Sequence, residues 1–221
     1  MNVFKYEAVF FDLDGTLLES AQDLSFAINV MADVLDIDKP SLLDVEKWIG
    51  NGALALVEKS LIHVLDKPPS AEYLKKAFEI FSSAYKEYIG EYSQLYPGVK
   101  ELLVKLLSHN IKIACITNKP LESTEFLLQL NMISQFFSII CAGDTVKFKK
   151  PHPWPLLYAS EFLKVPIKKC LMVGDSQHDI EAARSAGCDV IAVSYGYNHG
   201  EDIHDSNPDK VIHSFLEFDD I

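Results

Sequence analysis

Five short runs of apolar residues stand out along the chain and predict the strands of a buried sheet. Each run is too short for a typical helix and is rich in Val, Ile or Phe, which is typical of strands that are covered on both faces. A long stretch separates the first run from the other four. The runs lie at residues 6–13, 111–117, 136–143, 169–175 and 188–194.

The last four runs alternate with segments in which apolar residues recur at the spacing of an amphipathic helix. Pro120 and Pro155 suit the first turn of a helix, and Gly187 suits the position just after the end of one. The segments lie at residues 99–107, 120–130, 155–164 and 179–186. Alternating strands and helices predict an α/β fold with a doubly wound parallel sheet.

The chain between the first two strands breaks this alternation. It has four helical patterns and no strand pattern, at residues 20–36, 41–49, 52–65 and 70–92. Ser20 and Asp23 stand where a capping pair would begin the first helix. A single crossover connection would need far fewer residues. We therefore predict an all-helical cap domain over residues 16–93, inserted into a core formed by residues 1–15 and 94–221.

Composition and charge narrow the possible functions. Hydrophobic residues make up 48% of the chain, and the formal net charge is −12. This charge and the lack of a basic tract argue against nucleic acid as a partner. No apolar run approaches the ~20 residues that span a membrane, and neither a signal-peptide pattern nor a C-x-x-C pair is present. We therefore expect a cytoplasmic protein with reduced cysteines and no membrane contact.

Polar residues follow most of the predicted strands at their carboxyl ends, the edge where open parallel sheets bind ligands. These residues are Asp12, Asp14, Thr117, Asn118, Lys150, Asp175 and Asp179. Asp12, Asp14 and Asp175 would repel one another at one edge unless a cation lay among them. Because the candidate ligands are oxygens without a neighbouring His or Cys pair, they favour Mg²⁺.

Four segments at this edge resemble the motifs of the haloacid-dehalogenase-like phosphatases, in the order DLDGTL, ITNKP, KKPHP and GDSQHD. The resemblance covers the whole chain and implies a Rossmann-like core with a helical cap of the C1 type. It implies that Asp12 attacks phosphorus to form an aspartyl-phosphate. It also implies that Asp14 protonates the leaving alkoxide and then deprotonates the hydrolytic water. The spacing of two fits these roles, because both side chains leave an extended chain on the same side.

The resemblance also implies which residues bind the metal. Mg²⁺ would be bound by Asp12, by the backbone carbonyl of Asp14 and by Asp175, with Asp179 in the second shell behind them. A carboxylate cannot approach a phosphate dianion unless a cation lies between them, so this assignment agrees with the chemistry.

The phosphoryl oxygens would be bound by Thr117 and Lys150, with Asn118 as a further substrate-binding residue. The family's lysine directly precedes a proline, which selects Lys150 over its neighbour Lys149. Lys149 is then expected to be solvated. Positive charge at this place neutralises the phosphoryl oxygens in the transition state.

Two further segments narrow the range of substrates that the resemblance implies. The WIGNG segment at residues 48–52 resembles a specificity loop of phosphoglycolate phosphatases, and residues 195–212 resemble the same subfamily. We therefore expect 2-phosphoglycolate as substrate, with Asn51 in contact with it. A cation should bind the substrate carboxylate, and both Lys47 and Lys59 are open candidates. His178 is expected to be a surface residue at the start of a helix.

Two alternatives remain open. The same scaffold could act as a phosphatase or mutase on another small phosphate ester, such as a sugar phosphate. A receiver-like signalling domain also forms a phosphoaspartate, but such domains are about half as long and lack a helical cap. The sequence fits either a monomer or a homodimer.

Overall fold

The computed structural model describes residues 3–220, and its centre is a sheet of six parallel strands in the order β5-β4-β1-β6-β7-β8. A separate antiparallel pair joins β2 and β3. The strands are β1 (Ala8–Phe11), β2 (Leu18–Glu19), β3 (Gln94–Leu95), β4 (Lys112–Ile116), β5 (Ile139–Cys141), β6 (Cys170–Gly174), β7 (Asp189–Val193) and β8 (Lys210–Ile212). The predicted α/β class with a doubly wound parallel sheet is confirmed.

Eight α-helices lie within the described residues. The first four fill the interval between β2 and β3, and the last four follow it. They are α1 (Ala21–Leu35), α2 (Leu42–Glu46), α3 (Ala53–Leu65), α4 (Ala71–Tyr88), α5 (Val99–Ser108), α6 (Leu121–Leu130), α7 (Trp154–Leu163) and α8 (Gln177–Ala186).

Strand β1 is central and is covered on both faces, which explains its unbroken apolar run. Val9 and Phe11 belong to the apolar cluster on the side of α5 and α6. Ala8 and Phe10 belong to the cluster on the side of α7 and α8. Because both neighbours of β1 pair with it in parallel, its carboxyl end lies beside those of β4 and β6.

Helices α1–α4 have an apolar core of their own. Its members include Ile28, Met31, Leu61 and Phe81, all buried. The short β2–β3 pair lies where the chain leaves the sheet and where it returns. This arrangement fits an inserted helical cap, and the predicted boundaries at residues 16 and 93 stay a prediction.

The structure corrects one local prediction in the cap. The Ser20 side chain makes no capping bond to α1. Instead, the carboxylate of Asp23 accepts hydrogen bonds from the backbone N–H groups of Gly90 and Tyr92, both at 2.8 Å, and from the Ser93 hydroxyl. Asp23 therefore fixes the segment after α4. That helix ends at Tyr88, four residues before the predicted end.

Candidate active site

Asp12 lies directly after β1 and is 8% exposed. Its Oδ1 atom accepts a hydrogen bond from the Leu13 backbone N–H at 2.7 Å and lies 2.8 Å from the Lys150 ammonium. Among the described residues, these contacts all fall on Oδ1. The other carboxylate oxygen, Oδ2, is therefore the one available for a reaction.

Lys150 is a buried cation between two carboxylates. Its Nζ atom lies 2.8 Å from Asp12 and 2.7 Å from Asp179. Burial alone would lower the pKa of Lys150, but the two carboxylates outweigh it and raise this pKa above its usual value. The ammonium is therefore charged at neutral pH.

The carboxylate of Asp179 is occupied on both oxygens. One binds Lys150, and the other accepts hydrogen bonds from the backbone N–H groups of Asp175 and Ser176 and from the Ser176 hydroxyl. This capping box begins α8 and ties the lysine to the end of β6. Asp179 thus positions Lys150. That Asp179 supports the metal ligands without binding the ion stays a prediction.

Asp175 is held from both sides by chain segments that are distant in sequence. The Thr16 hydroxyl donates to Oδ1 at 2.7 Å, and the Tyr197 backbone N–H donates to Oδ2 at 2.6 Å. A Cβ atom on Gly15 or Gly196 would overlap the Asp175 side chain. Both positions therefore need glycine so that the backbone can approach this carboxylate.

Three carboxylates in this cluster could hold a metal ion. Oxygen atoms of Asp12, Asp175 and Asp179 lie within 4.8 Å of one another, and all three residues are buried. Burial, followed by the neighbouring carboxylates, raises the pKa of Asp175, and burial likewise raises the pKa of Asp12 despite the opposing Lys150. If all three carboxylates are ionised, the Lys150 ammonium balances only one of them, and two negative charges are left over. An all-oxygen donor set with this charge fits a divalent cation such as Mg²⁺.

Asp14 lies two residues after Asp12, and its main partner, Lys119, was not foreseen from the sequence. Both its oxygens contact the Lys119 ammonium, at 2.9 and 2.8 Å, and Oδ1 also accepts a 2.6 Å hydrogen bond from the Ser20 hydroxyl. Burial would lower the pKa of Lys119, but Asp14 and Tyr85 raise it above its usual value. Only the place of Lys119 in ITNKP, three residues after the end of β4, could have pointed to it.

Thr117 and Asn118 follow β4 and are buried at the cavity wall. The Thr117 Oγ1 atom accepts a hydrogen bond from the Lys119 backbone N–H at 3.2 Å. The side-chain amide of Asn118 bonds both backbone groups of Lys150 and donates to the Gly50 carbonyl at 2.8 Å. A phosphate contact by Asn118 would therefore come from its backbone, and its predicted substrate-binding role stays a prediction.

A cavity of about 440 Å³ lies between the cap and the carboxyl edge of the sheet. Its core wall includes Asp12, Asp14 and Lys119. Its cap wall is largely apolar. The cap residues lining it are Leu24, Ile49, Gly50, Gly52, Ala53, Leu56, Phe78, Phe81, Ser82, Tyr85, Lys86 and Ile89.

The Asn51 side chain contacts the core instead of lining this cavity. Its Oδ1 atom lies 2.6 Å from Nε2 of His178, whose ring lies 4.9 Å from that of His199. His199 in turn contacts the Lys47 carbonyl at 3.0 Å. The expectation of a surface histidine at position 178 is therefore wrong, because His178 forms part of the contact between cap and core. Substrate binding by Asn51 stays a prediction.

Comparison with known proteins identifies the family. A family model for the haloacid dehalogenase-like hydrolases matches residues 9–193, which include every residue of the carboxylate cluster. The chain belongs to this family. The prediction of a haloacid-dehalogenase-like enzyme is confirmed, and membership in a hydrolase family argues against the signalling-domain alternative.

Individual relatives match nearly the full length of the chain. A protein of Nitrosococcus oceani named phosphoglycolate phosphatase is 40% identical over 211 residues, covering 96% of this chain and 94% of its own length. A crystal structure from Haemophilus somnus, described as a predicted phosphoglycolate phosphatase, is 35% identical with a TM-score of 0.94, covering 98% and 97%. CbbY from Rhodobacter sphaeroides, solved with phosphate, is 25% identical with a TM-score of 0.81, covering 96% of each chain.

Within residues 3–220, none of the helices combines the length and the hydrophobicity needed to cross a membrane. The four cysteines are all free and buried.

Proposed function

We propose that this protein is a Mg²⁺-dependent phosphatase that hydrolyses 2-phosphoglycolate to glycolate and phosphate through an aspartyl-phosphate intermediate. The observation that carries the proposal is the arrangement at the end of β1. Asp12 and Asp14 line one cavity, and each contacts its own buried lysine. Two carboxylates in different surroundings suit two different roles, one as nucleophile and one as acid and base.

In the first half-reaction, Oδ2 of Asp12 attacks phosphorus and the bond from phosphorus to the leaving oxygen breaks. Asp14, which takes up a proton from the incoming substrate, gives this proton to that oxygen, so the alcohol leaves neutral. Lys150 and Thr117 offset the charge on the phosphoryl oxygens. A bound Mg²⁺, held by Asp12, Asp175 and the backbone carbonyl of Asp14, would neutralise charge between the nucleophile and the phosphate.

In the second half-reaction, water attacks phosphorus and the bond to Asp12 breaks, which regenerates the carboxylate. Asp14 takes the proton of this water, so each proton that it gives in the first step is recovered in the second. The Lys119 and Ser20 contacts hold the Asp14 carboxylate in one orientation for both steps. The apolar cap wall excludes other water from the cavity.

The substrate assignment is supported by the relatives named phosphoglycolate phosphatase, at about 40% identity over most of the chain. A second candidate is a phosphatase or mutase for a larger phosphate ester. The cavity volume of about 440 Å³ favours it, because this volume exceeds what a two-carbon acid needs.

The experiment is a panel of small phosphate esters assayed for release of phosphate with Mg²⁺ and after chelation. We expect the highest kcat/KM for 2-phosphoglycolate, at least tenfold above that for sugar phosphates, and loss of activity with the chelator. A higher kcat/KM for a sugar phosphate would favour the second candidate. An isomerised product without free phosphate would identify a mutase.

A further inference from the structure

Lys119 is a buried cation in the wall of the active-site cavity that has no assigned contact with the substrate in the proposed reaction. Its side chain is 4% exposed, and its Nζ atom lies 2.8 Å from Oδ2 of Asp14. A surface lysine would hold its charge in water at little cost. A buried ammonium has given up that solvation and needs anionic partners, of which Asp14 is one.

The place of the substrate carboxylate follows from that of Asp14. A general acid lies within hydrogen-bond distance of the oxygen that it protonates. In a phosphorylated 2-hydroxy acid, three covalent bonds separate this oxygen from each carboxylate oxygen, a distance of roughly 4 Å at most. The substrate carboxylate therefore lies beside the Asp14 carboxylate. Two carboxylates this close repel each other unless a cation contacts both.

Lys119 is the cation in the right position. An ammonium has three N–H donors, and the two oxygens of Asp14 take at most two of them. The centroid of the Tyr85 ring of the cap lies 5.1 Å from Nζ, so the ammonium also makes a cation–π contact with the cap. The cap wall around it is apolar and has little that could bind a carboxylate.

The other lysines near the cap are less suitable. Among the described residues that line the cavity, the only other cation is Lys86, which is 76% exposed and bonded to Glu122. Lys47 is 52% exposed, contacts Asp44 and does not line the cavity. Lys59 is half-buried but also lies outside the cavity wall.

We propose that Lys119 binds the carboxylate of the substrate and so determines specificity for a phosphorylated 2-hydroxy acid over phosphate esters of uncharged alcohols. The proposal rests on the proposed function and names the residue that recognises the leaving group. The residue that selects the substrate would then belong to the core, whereas the sequence suggested a residue near the cap segment at residues 48–52. Lys119 would be shared between Asp14 and the substrate.

The test compares two substrates with the same two-carbon chain, 2-phosphoglycolate and 2-hydroxyethyl phosphate, which has an uncharged CH2OH group in place of the carboxylate. The ratio of their kcat/KM values is measured for the full-length enzyme with Mg²⁺ and for Lys119→Met, Lys59→Met and Lys47→Met. A general loss of activity through Asp14 affects both substrates and cancels in this ratio. We expect Lys119→Met to reduce the preference about 10- to 100-fold, the usual value of a hydrogen bond between charged groups.

The outcomes separate this proposal from the proposed function. A preference that persists in Lys119→Met, or that is lost in Lys59→Met or Lys47→Met instead, overturns the role of Lys119 and leaves the proposed function standing. A wild-type enzyme with no preference for 2-phosphoglycolate overturns both. If Lys119→Met does not fold, as judged by circular dichroism, Lys119→Gln replaces it. The glutamine amide can still bond Asp14 but has no charge, so the same loss of preference is expected.

Discussion

The two walls of the active-site cavity are built in opposite ways. On the core wall, charged side chains contact buried partners at fixed distances, as Asp12 does with Lys150 and Asp14 with Lys119. On the cap wall, most lining residues are apolar. A polar network that is fully paired holds its members rigidly, whereas an apolar wall gives shape and excludes water. In the proposed mechanism, the core wall therefore positions the reacting groups and the cap wall encloses them.

The largest effect is expected for the nucleophile. Asp12→Asn should lower phosphate release to background, because an amide cannot form the aspartyl-phosphate. The fold should persist, since Lys150 keeps its contact with Asp179. Steady-state assays with 2-phosphoglycolate and a circular dichroism spectrum check both parts. Retained turnover in a folded variant would contradict the role of Asp12.

The next largest effect is expected for Lys150, the buried lysine that contacts Asp12. Lys150→Met should reduce kcat by about 10²–10³-fold and destabilise the fold by about 3–5 kcal/mol, because it leaves two buried carboxylates without their cation. Kinetics and urea denaturation measure the two effects. Lys149→Met is the matched control, since this neighbouring lysine is exposed. Equal effects of the two substitutions would rule out a special role for Lys150.

A smaller effect is expected where the backbone supports Asp175. Gly196→Ala should displace this carboxylate and weaken Mg²⁺ activation about 10- to 100-fold, the usual result of disturbing residues that orient metal ligands. The activity of each variant is titrated with Mg²⁺ after chelation. Gly187→Ala is the control. An added Cβ there would strain the backbone but would meet no atom within 4 Å, so stability should fall while metal activation should not.

The smallest effect is expected at the contact between cap and core. Asn51→Ala removes the bond to His178 and should lower kcat/KM only a few-fold, because one hydrogen bond contributes about 0.5–1.5 kcal/mol. A double-mutant cycle with His178→Leu measures their coupling. A loss as large as that of Lys150→Met would mean that the cap also takes part in the chemistry.

The sequence predicted the sheet well because its strands are buried on both faces. Strands β1, β4, β5, β6 and β7 are visible as apolar runs, and the polar residues that follow most of them meet at one edge as expected. Strand β8 was missed. It has only three residues, Lys210–Ile212, at the edge of the sheet, and two of the three are only partly buried.

The partners of the site residues could not be predicted from the sequence. The Thr16 hydroxyl meets Asp175 across 159 positions, and Lys119 meets Asp14 across 105. No periodicity encodes such contacts. Ser20 is instructive, because its place before α1 predicted a helix cap, whereas its hydroxyl donates to Asp14. The Ser20 hydroxyl could either cap the helix or bond another part of the chain, and the tertiary fold favours the bond to Asp14. The oligomeric state stays a prediction.

The central claim is that the core wall carries out the reaction through a covalent bond to Asp12. The direct measurement is mass spectrometry of Asp14→Asn, mixed with 2-phosphoglycolate and Mg²⁺, quenched in acid and digested. Because Asp14 serves both half-reactions, its replacement slows both the formation and the hydrolysis of the intermediate, and samples are therefore quenched over a long time course. The account predicts the added mass of one phosphoryl group on the peptide that contains Asp12. Phosphate released in the quenched samples with no phosphorylated peptide at any time would contradict it.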